Sequence, residues 1–108
     1  MRYRVAVNSS RYGFELDDEV EAEDAEALVL RLRELAAEVV RRGEAKSVPW
    51  FFREAAANVV ESVAPLAFCR YMAQEWNQEH PHAPMPSDFT AADDFAAAAE
   101  SVGLLRRC

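Results

Sequence analysis

Phe14-Glu15-Leu16-Asp17-Asp18-Glu19-Val20-Glu21-Ala22-Glu23-Asp24-Ala25-Glu26-Ala27-Leu28 changes its hydrophobic period midway. As far as Ala22 it alternates, with Phe14, Leu16, Val20 and Ala22 set against Glu15, Asp17, Glu19 and Glu21, as a strand with one wet face requires. Asp18 falls on the apolar side of that alternation, which predicts a bulge or an early strand end there. From Asp24 the apolar residues recur instead at Leu28, Leu32, Leu35 and Val39, and Arg31, Arg33, Glu34, Glu38, Arg41 and Arg42 take the remaining faces. That spacing is an amphipathic helix over 24–43. Asp24 and Glu26 suit the positive end of its dipole, Arg41 and Arg42 the negative end, and Gly43 supplies the stop.

Towards the amino terminus, Tyr3, Val5 and Val7 alternate with Arg4 and Ala6, and Asn8-Ser9-Ser10-Arg11-Tyr12-Gly13 has turn composition, so residues 1–22 read as a β-hairpin. Towards the carboxyl terminus, Val48-Pro49-Trp50-Phe51-Phe52 opens a helical stretch over 48–79, with Ser47 as candidate cap and Pro49 in the first turn. Pro65 removes a backbone donor inside it, which predicts a kink or break between Ser62 and Leu66. Val59, Val60, Val63, Leu66, Phe68 and Met72 make this stretch apolar around much of its circumference, so it is expected to be the central core element. Pro81, Pro84 and Pro86 predict an extended connector over 80–86. A last helix over 88–103 follows, capped by Ser87 or Thr90, with Phe89, Phe95, Ala99 and Val102 on one side and Gly103 as its stop. Leu104 to Cys108 is left as a short tail.

The order β-β-α-α-(α)-α specifies an α+β fold, in one domain spanning 1–108, with three or four helices packed on one face of a small antiparallel sheet. A lone two-stranded hairpin is marginally stable. It must lie against the helices or pair with the hairpin of a second copy across a two-fold axis.

At 108 residues and 51% apolar composition, the chain can bury a core without a disulfide or structural metal. Met1-Arg2-Tyr3-Arg4 carries no apolar signal core, no uncharged apolar run approaches bilayer length, and Cys69 and Cys108 form no disulfide framework. The expectation is a cytoplasmic protein without a membrane partner. Twelve Lys and Arg against 19 Asp and Glu leave a net charge of −7, the wrong sign for gripping a phosphate backbone, so direct nucleic-acid binding is not expected. Three glycines leave none for a phosphate cradle, and no nucleophile elbow or HExxH is present, so neither an enzyme nor a cofactor is expected. Cys69, within Leu66-Ala67-Phe68-Cys69, reads as a buried small hydrophobe. His80 and His82, preceded by Glu75 and Glu79, amount to half a zinc site, and a histidine at a helix end is explained equally well by the dipole.

Two features point to a partner. Glu15, Asp17, Asp18, Glu19, Glu21, Glu23, Asp24 and Glu26 run without an intervening base, and residues 1–26 hold −5 of the net charge. On a strand, alternate acids repeat at about 6.5–7 Å, close to the phosphate spacing of one nucleic-acid strand. Such a row reads as a docking face for a basic protein surface, or as a merely solvated face. Trp50, Phe51 and Phe52 cannot all point one way at helical spacing, which leaves one of them as an interface anchor, the alternative being a helix start buried as a whole.

The expected function is that of a small, acidic, non-enzymatic regulator or inhibitor that occupies a basic surface of a larger, nucleic-acid-binding assembly. Phage-type inhibitors such as anti-CRISPR proteins are the concrete version that size and acidity support. The alternative is a homodimeric module associating through its apolar helix, and a minor one is metal binding through His80 and His82.

Overall fold

The computed structural model describes residues 1–9 and 13–108. Strand β1, Arg2–Ser9, pairs antiparallel with β2, Phe14–Glu21, in an unbroken register from Arg2 opposite Glu21 to Ser9 opposite Phe14. The hairpin is therefore present, although part of its expected turn, residues 10–12, lies outside the described residues. No bulge interrupts β2 at Asp18, which sits opposite Val5. β2 is an edge strand, so a carboxylate on its inner side reaches water, and Asp18 Oδ1 accepts the Glu19 amide at 2.8 Å.

The carboxyl-terminal tail is not a loose end. Leu105–Arg107 forms a strand, β3, on the other edge of β1, with Tyr3 opposite Arg107 and Val5 opposite Leu105, and the sheet order is β2-β1-β3. Leu104 and Leu105 are buried, which makes the pairing worth more than its three residues. The hairpin is thus completed and backed by its own chain.

Helix α1, Ala25–Arg41, begins where Asp24 Oδ1 accepts the Ala27 amide at 2.8 Å. It ends at Gly43, whose left-handed backbone (φ 75°) lets its amide reach the Val40 carbonyl. A side chain at 43 would also fall on the Arg53 guanidinium, within 2.3–2.7 Å. Ala25, Leu28, Val29, Leu32, Leu35, Ala37 and Val39 of α1 are buried. This helix is the central core element, and not the 48–79 stretch as the composition of that stretch implied.

That stretch is divided into a 3₁₀ turn, Trp50–Phe52, then α2, Arg53–Ser62, and α3, Pro65–Glu79. The break falls at Val63 and Ala64, inside the expected window, with Pro65 as the first residue of α3, where its missing donor costs nothing. Pro49, without a side-chain cap, precedes the 3₁₀ turn, so Ser47 does not cap it. Of α2 only Ala57 is buried, whereas α3 buries Phe68, Cys69, Ala73 and Glu75. Among the described residues α2 packs on α1 and lies apart from α3, so its second apolar side has no neighbour.

After α3 the connector expected to run extended over 80–86 opens instead with a turn, the Ala83 amide reaching the His80 carbonyl at 3.1 Å, and Asn77 then holds Met85: Nδ2 donates to the Met85 carbonyl at 2.9 Å, and Oδ1 accepts the Met85 amide at 2.8 Å. Met85 and Phe89 are buried. The last helix, α4, is Ala92–Val102, shorter than the expected 88–103. Phe89 packs edge-to-face on Phe95, 5.5 Å between centroids, and Arg70 Nη2 takes the Phe89 carbonyl at 3.1 Å, which keeps residue 89 in the connector. Neither Ser87 nor Thr90 caps α4; Ala91 precedes it, and Thr90 Oγ1 bonds Asp94 instead. Gly103, at φ 89°, ends α4 as its sequence position implied. Tyr3, Val5, Val20 and Leu105 from one face of the sheet join Leu28, Leu35, Phe68 and Phe95 in a single core.

Candidate functional site

The break after Ser62 sends α2 and α3 in different directions over α1 and leaves a cleft between them. Its volume is about 440 Å³, within the range of ligand pockets. Ala36, Val39 and Val40 of α1 line it, with Ala56, Val59 and Val60 from α2 and Ala67, Tyr71 and Met72 from α3. Two arginines of α1 fix the geometry. Arg33 Nη1 donates to the Val63 carbonyl at 2.6 Å, satisfying a group freed by the break. Arg41 spreads over α2: Nε to the Glu54 carboxylate at 3.2 and 3.3 Å, Nη2 to Asn58 Oδ1 at 3.0 Å, and Nη1 to Glu61. The hydrogen bond from Arg41 holds the Glu61 carboxyl below its ordinary pKa, and the same bond raises that of Arg41. Polar contacts along one side of α2 therefore leave its valines to the cleft, and Val59 is 63% exposed.

The Trp50–Phe52 turn lies in the chain between two residues that line the cleft, Val48 and Ala56. Trp50 is 74% exposed, Phe51 64% and Phe52 53%, so all three rings face water rather than the single one that the sequence implied. They touch one another: Trp50 meets Phe51 edge-on at 5.6 Å, and Phe51 and Phe52 lie 4.7 Å apart. The tight 3₁₀ turn fans its side chains about three residues per turn, and none of them turns into the core. Val59 and Val60, apolar enough to imply core positions, line the cleft instead. The available signal was Pro65, whose break deprives α2 of a second neighbour.

The acidic residues are distributed differently from a uniform row. Glu15, Asp17, Glu19 and Glu21 share the outer face of the sheet, opposite Asn8, Ala6, Arg4 and Arg2. Arg4 reaches diagonally to Asp17, Nε to Oδ1 at 2.8 Å and Nη2 to Oδ2 at 3.0 Å, and Arg2 lies 3.6 Å from Glu21. Arg106 of β3 stands opposite Arg4 on the same face. The hydrogen bond from Arg4 keeps the Asp17 carboxyl below its ordinary pKa, with Arg106 adding to the effect. The outer face thus mixes four acids with three arginines. Asp18 is exposed on the opposite side of β2, Glu23 and Glu26 are exposed around the start of α1, and Asp24 is committed as its cap.

His80 stacks on Trp76 at 3.7 Å between ring centroids, and its Nδ1 lies 3.1 Å from the Trp76 carbonyl, while His82 is exposed. No group of three or more His, Cys, Asp or Glu capable of holding a metal ion occurs among the described residues. Burial pushes the Cys69 thiol up to about 11, and Cys108 is an exposed free thiol. Glu75, 8% exposed, lines the cleft; no local pattern in the sequence distinguishes it from the exposed acids. Among the described residues no helix is long and apolar enough to cross a membrane. The chain matches no protein-family model, no curated protein and no solved structure.

Proposed function

We propose that this protein is a non-catalytic binding module that holds another protein surface in the cleft between α2 and α3, with the Trp50–Phe52 turn as its anchor. One observation carries this reading: three contiguous exposed aromatic rings stand in the chain between Val48 and Ala56, both of which line an apolar cleft of about 440 Å³. Scattered exposed hydrophobes are ordinary, whereas a contiguous patch with a concave apolar neighbour is the pattern of an interaction site. The test is capture of partners from lysate of the source cells by wild-type protein and by Val59→Asp, at low and high salt. A partner held by wild type at both salts and lost with Val59→Asp is expected. A partner indifferent to Val59→Asp, or none at all, overturns the reading.

A second reading keeps the acidic segment as the docking face for a basic partner, in the manner of a phage-type inhibitor. It is favoured by the exposure of Asp18, on the side of β2 away from the arginine-bearing face, and of Glu23 and Glu26 around the start of α1. Here Asp18→Lys with Glu23→Lys and Glu26→Lys abolishes capture, and high salt alone weakens it steeply.

A further inference from the structure

We infer that the occupant of the cleft is a second copy of this chain, each protomer inserting its Trp50–Phe52 turn into the α2–α3 cleft of the other about a two-fold axis. The inference rests on the cleft being a docking site and adds what fills it.

Three observations support a second copy. The first is self-complementarity. A two-fold interface uses the same patch on both subunits, so that patch must contain both the projection and the cavity that receives it. Here the projection is the aromatic turn, the cavity is lined by Val48 and Ala56, which flank that turn in the chain, and the exposed Val59 lines it about two helical turns further along.

The second is area. At roughly 150–250 Å² for a wholly buried aromatic side chain, exposures of 74%, 64% and 53% leave on the order of 300–480 Å² to cover on the turn alone. In a reciprocal contact each protomer buries its own turn and also the cleft walls that receive its partner's turn. The cleft walls offer less surface than the turn, so the result is roughly 500–700 Å² per protomer, near the lower bound of about 600 Å² for a standard stable interface.

The third is charge. Two copies carrying −7 each repel unless they meet where the charge is compensated. The acids of α2, Glu54 and Glu61, are both held by Arg41 of the same chain. The acidic start of α1 is remote: from Glu26 to Val39 the helix rises about 20 Å, more than two Debye lengths of about 8 Å at physiological salt. The apolar cleft and its turn are therefore a surface on which two like-charged molecules can approach. Added salt should leave this dimer unchanged or tighten it, the reverse of what a basic partner would show.

The experiment is sedimentation equilibrium of the full chain across the micromolar range, for wild type, Val59→Asp and Phe51→Ser. The expected wild-type mass is twice 12.1 kDa. Each substitution, at an exposed position, is expected to weaken the dimer roughly a hundredfold with an unchanged far-ultraviolet circular dichroism spectrum. A wild-type mass of one chain at high micromolar concentration overturns the inference. So does a dimer that survives both substitutions, because its interface then lies elsewhere. A monomer that still loses a captured partner with Val59→Asp disposes of the second copy alone and leaves the docking reading intact.

Discussion

α1 and α2 pack against each other, yet they are held by different means. α1 buries seven apolar residues, from Ala25 to Val39, between the sheet and the other helices. α2 buries Ala57 and is fastened at its flank by the guanidinium of Arg41 and at its end by Arg33 on the Val63 carbonyl. Both segments carry enough apolar residues to be core. What separates them is the number of neighbours, because a hydrophobic face is buried only where another element comes within contact. α1 has neighbours on several sides, and the break at Val63 and Ala64 leaves α2 with α1 and the short Trp50–Phe52 turn that leads into it.

The contrast predicts its own consequences. The largest is in stability: Leu28→Ala, at a wholly buried position of α1, should cost about 2–5 kcal/mol, read as a lower urea midpoint. Val59→Ala, measured below any self-association, should stay within about 0.5 kcal/mol. Equal losses at the two positions would mean that α2 is core after all. Next in size is Arg41→Ala. It should release α2 locally, raising amide hydrogen exchange across 53–62 roughly tenfold while 25–41 stays protected; uniform acceleration of both helices would break the comparison.

The smallest effect is in acid. Because Arg41 lowers the Glu61 pKa in the folded chain relative to the unfolded one, the pair stabilises fully above the ordinary glutamate value. That stabilisation disappears as pH falls through the lowered folded value. Exchange across α2 should therefore rise in acid before that of α1. Glu61→Gln should remove the pH dependence, and solvent screening keeps the effect slight, the Glu61 side chain being 41% exposed. Asp17, paired with Arg4 on the open face of the sheet, shifts in the same sense.

Local patterns in the sequence were sufficient for the hairpin, for α1 with its Asp24 cap and Gly43 stop, and for the break at Pro65. Each of these depends on residues a few positions apart. What was not legible depends on pairings across the chain. Leu105 becomes a strand only because Val5 offers it an edge. The acids of β2 lose their uniform character because Arg2, Arg4 and Arg106 arrive from neighbouring strands. Val59, and all but one of the Trp50–Phe52 rings, read as interior because composition records apolarity and not the absence of a neighbour. The cleft exists through the angle between two helices, which no periodicity encodes.

Asn77 gives the connector a vulnerability of another kind. Its amide supplies both a donor and an acceptor to the backbone of Met85, so the two bonds require nitrogen on one side and oxygen on the other. Hydrolysis of that amide, the chemical wear that makes asparagine a perishable residue, would replace the donor with a second carboxylate oxygen and set it against the Met85 carbonyl. The segment that seats Met85 and Phe89 in the core is thus secured by a covalent group with a finite lifetime. For this stretch, the age of the molecule matters alongside temperature and solvent.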